Sequence, residues 1–188
     1  PLSRLQQAVP GLRVHVGPDG RIDRLYGKVF ATGDSARETA DAFLAANAAI
    51  WGVEARDLKA GGVLAGGGAL QPMMYDPASG SYRFTGVYYS QVSGGFPVFE
   101  SRALVLTLND PDHGAVLAAT DLRDLGNFHA TTPSQALAGA ARMTSLARDL
   151  LSDDTASLIG SPTTVVFAGY DLEPRTPTMA VEFVAEAG

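Results

Sequence analysis

Three histidines, His15, His113 and His129, are the side chains here best suited to metal binding or proton transfer. No second histidine or carboxylate stands at a zinc-ligand spacing from any of them, and the HExxH pair of metalloproteases is missing. Asn109, Asp110, Asp112 and His113 place oxygen ligands close together, as a hard cation prefers. The glycine and distal glutamate of a calcium loop are not in place, so a solvated hairpin turn is expected, with Asp121 and Asp124 as surface residues. Ser90 and Ser93 lie in no Gly-x-Ser-x-Gly elbow and read as strand and turn residues. Residues 60–68, AGGVLAGGG, lack the Lys-Ser/Thr pair of a phosphate loop and read as a connector. Cysteine is absent, which excludes disulfides, thiolate nucleophiles and Cys-bound zinc. No catalytic residue and no metal ligand is assigned, and an enzyme of any class is disfavoured.

Composition narrows the partners. The 188 residues are 46% hydrophobic, enough for one large domain or two small cores. A net charge of −6, with Lys28 and Lys59 the only lysines, argues against a surface that tracks phosphates, so nucleic acid is not an expected partner. No apolar run reaches about twenty residues, so no membrane span is expected. The chain opens on Pro1 without a basic start and apolar stretch, as if a targeting segment had been removed or the chain trimmed.

The elements that would position any site follow from periodicity. Residues 12–30 alternate about Gly17-Pro18-Asp19-Gly20, which predicts a hairpin. Ser35 and Glu38 have capping-box spacing and start a helix over about 36–50, with Ala36, Ala40, Phe43, Leu44 and Ala48 on one face and Gly52 as its stop. From Leu70 to Asp124, turns at 76–80, 93–95 and 109–114 separate three or four long strands. Tyr82, Phe84, Gly86 and Tyr88 share one parity, and Leu104, Leu106 and Leu108 another. Thr132 and Pro133 open a second helix running to about Leu151, with Ala147, Leu150 and Leu151 on its apolar face. Two strands, 163–170 and 179–185, follow, with Pro174 and Pro177 in a loop between them. The grammar is α+β: two units, each a helix packed on an antiparallel sheet.

With those elements in place, Gln91, Gly95-Phe96-Pro97-Val98-Phe99 and Leu104 to Leu108 resemble the fungalysin/thermolysin propeptide (FTP) domain. The helix at 35–53 looks like the long helix of that domain, and the segment after 129 resembles, more weakly, its usual companion, the PepSY domain. The resemblance implies an FTP-like domain over 1–128 and a PepSY-like domain over 129–188, both cystatin-like α+β units. It implies a secreted, periplasmic or extracellular propeptide that chaperones and inhibits a zinc metalloprotease catalytic domain, expected in cis. The segment itself would need no cofactor, the zinc belonging to the partner domain. Gln91, Gly95, Pro97, Val98 and Phe99 would then be structural motif residues. Phe96 and Phe99 would reach the protease, or else both serve the core. A stand-alone secreted or periplasmic protein-binding module is the rival reading.

Overall fold

A computed structural model describes residues 1–132, 139–170 and 173–188, which divide into two units. The first comprises Pro1–Val92 and Glu100–Asp124, the second Ser93–Phe99 and Leu125–Gly188.

In the first unit the alternating segment forms β1 (Arg13–Val16) and β2 (Ile22–Ala31), an antiparallel hairpin that closes at the glycine-rich turn. A short helix, α1 (Leu2–Ala8), precedes it and buries Leu5. Helix α2 (Ala36–Asn47) begins where the spacing predicts. The Ser35 hydroxyl accepts the Glu38 amide at 3.2 Å and donates to the Glu38 carboxylate at 3.3 Å. The expected last turn is instead a 3-10 turn, Ala48–Trp51, stopped by Gly52 at φ 72°. The strands β3 (Leu58–Ala60), β4 (Leu70–Asp76), β5 (Ser81–Ser93), β6 (Phe96–Leu108) and β7 (Ala115–Asp121) complete the sheet, in the order β1-β2-β7-β6-β5-β3 with β4 also on β5.

Period-two alternation decides which face of that sheet is covered. Leu25, Val87, Tyr89, Ala103, Val105 and Ala118 point into the core with Ala40, Phe43 and Leu44 of α2. Phe43 sits 4.7 Å from the Phe30 ring and 6.2 Å from Trp51, so a single aromatic knits helix, sheet and 3-10 turn. Leu104, Leu106 and Leu108 have the opposite parity and stay half-buried on the other face, although they are the bulkier row.

The second unit contains α3 (Ala140–Leu151), β8 (Ser157–Tyr170) and β9 (Glu173–Glu186). β8 and β9 pair along most of their length as an antiparallel ribbon, and β8 meets the start of β6 in parallel at Val98 and Val166. Val98, Ala130 and Val166 are buried together, with Phe96, Leu125, Phe128 and Met179 packed around them.

The predicted α+β class of two helix-on-sheet units is overturned. Among the described residues 47% are strand and 22% helical, and the architecture is predominantly antiparallel sheet. The reason lies largely in the last third of the chain. Pro174 and Pro177 do not break the chain into a loop but lie within β9, where an edge strand tolerates a residue lacking an amide hydrogen. Both strands thereby grow to fourteen residues. The start proposed for the second helix falls on residues 133–138, outside the described residues. Within α3 the buried pair is Met143 and Ala147, while Leu150 and Leu151 of the expected apolar face are exposed.

Candidate functional site

The β5–β6 hairpin carries the sequence motif, and its tip belongs to the second unit. Gly94 and Gly95 take φ of 56° and 88°. Gly95 has open space around it, so only its backbone requires glycine. Gly94 is constrained twice, because a Cβ there would overlap the carbonyl oxygen of Ala130. Beside it, the Ser93 hydroxyl accepts the Ala130 amide at 3.1 Å. Pro97 then starts the run without needing a ladder partner for its nitrogen, and Val98 buries itself against Val166.

Phe96 and Phe99, the two residues expected to reach a partner, have different surroundings. Phe96 packs on the Val98–Ala130–Val166 cluster. Phe99 stands 6.0 Å from the ring of Phe167 and 6.3 Å from Tyr170. With Val165, Phe167, Val181 and Phe183 it lines an open groove of about 300 Å³, and Glu182 is the charged residue in the lining. The groove has the volume and apolarity to receive a large apolar side chain. Tyr170 is 62% exposed, which extends the aromatic surface beyond the lining.

Gln91 occupies a different environment, buried in the first unit at 2% exposure. Its carboxamide nitrogen donates to the Arg123 carbonyl at 2.9 Å, and its oxygen accepts the Arg123 amide at 2.9 Å and the Ser101 hydroxyl. A single side chain thus ties β5, β6 and the segment after β7, which is a structural task. Two residues back along β5, the buried Tyr89 hydroxyl donates to Asp41 at 2.6 Å, and Asp41 accepts Arg37 at 2.7 Å while the guanidinium lies 5.9 Å from the Tyr89 ring centre. Burial first, then the hydrogen bond to Asp41 and its negative charge, push the Tyr89 hydroxyl far above its usual 10.0, with Arg37 opposing weakly. This phenol stays protonated and acts as a strut.

The remaining candidates are held by local structure. His15 pairs with Asp23 at 2.6 Å on the exposed side of the first hairpin. Asn109 accepts the Thr85 hydroxyl at 2.8 Å and donates to the Tyr82 carbonyl at 2.9 Å, while Asp110 accepts the Gly114 amide at 3.2 Å. His113 lies in the same turn at φ 43°. His129 is exposed, just before the buried Ala130. Ser90 donates to the Gly61 carbonyl at 2.6 Å, so the 60–68 connector lies against β5. Among the described residues no three His, Asp or Glu side chains converge as a metal site. No described helix is long and apolar enough to cross a membrane.

Comparison with protein-family models, curated proteins and solved structures found no match for this chain.

The most exposed aromatic surface of the second unit is therefore built from residues that periodicity does not mark. Phe167, Tyr170 and Phe183 lie inside segments legible as strands, but their convergence on Phe99 depends on the β8–β9 register and on the Val98–Val166 pairing. Aromatics at the Phe99, Phe167 and Phe183 positions of three apolar strands were the available signal. Ser101, Arg123, Asp41 and Arg37 carried none, because their partners are distant in sequence.

Proposed function

We propose that this chain acts by contact rather than by reaction, as a propeptide-type module. It binds the catalytic domain of a zinc metalloprotease, in cis in its precursor, assists that domain's folding and holds it inactive. The setting is secreted, periplasmic or extracellular. The observation that carries the reading is the open aromatic groove around Phe99, formed directly beside the FTP-like run Gly95 to Phe99. An apolar groove rimmed by aromatics suits an anchoring side chain from a protein partner, since rigid aromatic contact area costs little conformational entropy. Phe99 is the contact residue, and Phe96 supports it from the core.

The test is to add the purified chain to a thermolysin-like zinc protease and measure steady-state inhibition and refolding yield. Inhibition or improved refolding is expected, with Phe99→Ala and Phe167→Ala each weakening the effect by about tenfold or more, as loss of an aromatic anchor does. Neither effect at micromolar concentration overturns the reading.

A further inference from the structure

The outer face of the first unit's sheet holds a second opening, unrelated to the aromatic groove and independent of the protease reading. Arg24 of β2 and Leu104 of β6 both lie in register with Ala119 of β7, so the three share one face. Arg102 lies two residues along β6 from Leu104, opposite Asp121, and has the same parity. Gly86 contributes to this face too, for a Cβ on it would press against Leu104 and Tyr88. Ala119, between Tyr88, Leu104 and the arginines, leaves an open site of about 260 Å³, and Gly86 behind Leu104 and Tyr88 lets those two side chains settle close to the sheet.

Its charged residues are two arginines and two aspartates, in a chain of net −6. Arg24, Arg102, Asp23 and Asp121 all line it, but the acids are already engaged. Asp121 faces Arg123 at 3.3 Å and Asp23 holds His15 at 2.6 Å. Arg24 makes no ion pair or side-chain hydrogen bond among the described residues, and Arg102 has only a loose contact to Glu100 at 3.9 Å. The Tyr88 hydroxyl donates away to Gln71 at 3.1 Å, leaving its ring as wall. Two guanidinium forks are thus left over a bed of Ala119, Leu104 and the Tyr88 ring.

The geometry points to a binding site for a monocarboxylate bearing a short apolar chain, with the carboxylate held by Arg24 and Arg102 and the chain laid on Ala119, Leu104 and Tyr88. Guanidinium matches the planar carboxylate, and the apolar bed favours a ligand that carries a chain over a bare anion such as phosphate. The same chemistry is offered by a free short-chain acid and by the C-terminus of a peptide ending in an apolar residue.

The experiment is an amide-shift titration by NMR with hexanoate, acetyl-Ala-Leu, hexanamide and inorganic phosphate. Saturable shifts at Arg24, Arg102 to Leu104 and Ala119 to Asp121 are expected with a carboxylate, and binding of hexanamide should be about tenfold weaker or worse, the loss that accompanies a charge-assisted hydrogen bond. Tighter binding of acetyl-Ala-Leu identifies a peptide terminus as the source, and tighter binding of hexanoate a free acid. Arg24→Gln and Arg102→Gln, both at exposed positions, should each weaken the carboxylate about tenfold. Ala119→Leu should fill the bed and block it. The proposal is overturned by absence of saturable shifts, by hexanamide binding as well as hexanoate, by phosphate competing equally, or by folded arginine variants that keep full affinity.

Discussion

Replacing Gly94 with alanine should be the most damaging single-methyl change in the β5–β6 turn. Gly94 sits at φ 56°, where an L-residue costs about 1–2 kcal/mol. The new Cβ would also overlap the Ala130 carbonyl oxygen and approach its carbon to 2.9 Å, so the backbone at Ala130 must move. Moving it strains the 3.1 Å bond from the Ala130 amide to Ser93, worth about 1 kcal/mol. It also disturbs the buried trio Val98, Ala130 and Val166, an overpacking cost of about 1–3 kcal/mol. The total, about 3–6 kcal/mol, is a large share of the roughly 5–15 kcal/mol that holds a domain folded. Gly95→Ala is the internal control, because a Cβ there meets nothing and only its φ of 88° is penalised, by about 1–2 kcal/mol. Urea titration followed by peptide-resolved hydrogen exchange over β8 separates the two variants, since each kcal/mol moves the midpoint by about 0.3–1 M. Equal midpoints for Gly94→Ala and Gly95→Ala would refute the steric argument and reduce the turn to backbone preference alone.

Three further outcomes are expected. Gln91→Leu strands the Arg123 amide and carbonyl and the Ser101 hydroxyl in the core, and should cost about 2–4 kcal/mol in thermal unfolding monitored by the fluorescence of buried Trp51. Because the Tyr89 hydroxyl is raised above 10.0 in the folded state, its contribution is complete below pH 10 and is lost as the pH rises further, when the unfolded chain ionises first. Tyr89→Phe should flatten that alkaline decline, and the difference between the ultraviolet titrations of folded wild type and Tyr89→Phe should show that the Tyr89 phenol resists ionisation. Pro97→Asp brings a carboxylate and a new amide beside the Val98 cluster and should destabilise the second unit by about 1–3 kcal/mol, read by hydrogen exchange at Val98 and Val166. A Pro97→Asp protein with native exchange rates would remove the structural role given to that proline.

Local chemistry was legible and long-range pairing was not. The hairpin about Gly17–Gly20, the Ser35 cap and the turns at 76–80, 93–95 and 109–114 all follow from residues within a few positions of one another. Sheet order is different in kind, because β2 pairs with β7 across most of the first unit and no local pattern encodes that. Parity was visible for Leu104, Leu106 and Leu108, yet which parity faces α2 depended on partners on other strands. The two prolines of β9 misled for a physical reason: a proline ends a helix or a central strand, but an edge strand accepts it. The groove around Phe99 was half readable, as the motif run was evident while Phe167 and Phe183 were hidden within ordinary strands. Gly94 illustrates the limit, since the atom that forbids its side chain belongs to Ala130.

Those prolines have a consequence for how many copies of the chain can coexist. The outer edge of β9 has no strand partner among the described residues, and a fourteen-residue edge beside exposed Tyr170 and Val184 is a template on which another chain could polymerise. At Pro174 and Pro177 that template carries no amide hydrogen, so a growing cross-β stack would meet gaps in its ladder near the start of the strand. A fibril growing on this edge would have to nucleate on the stretch after Thr178, where Glu182 and Glu186 would stack like charges in an in-register array.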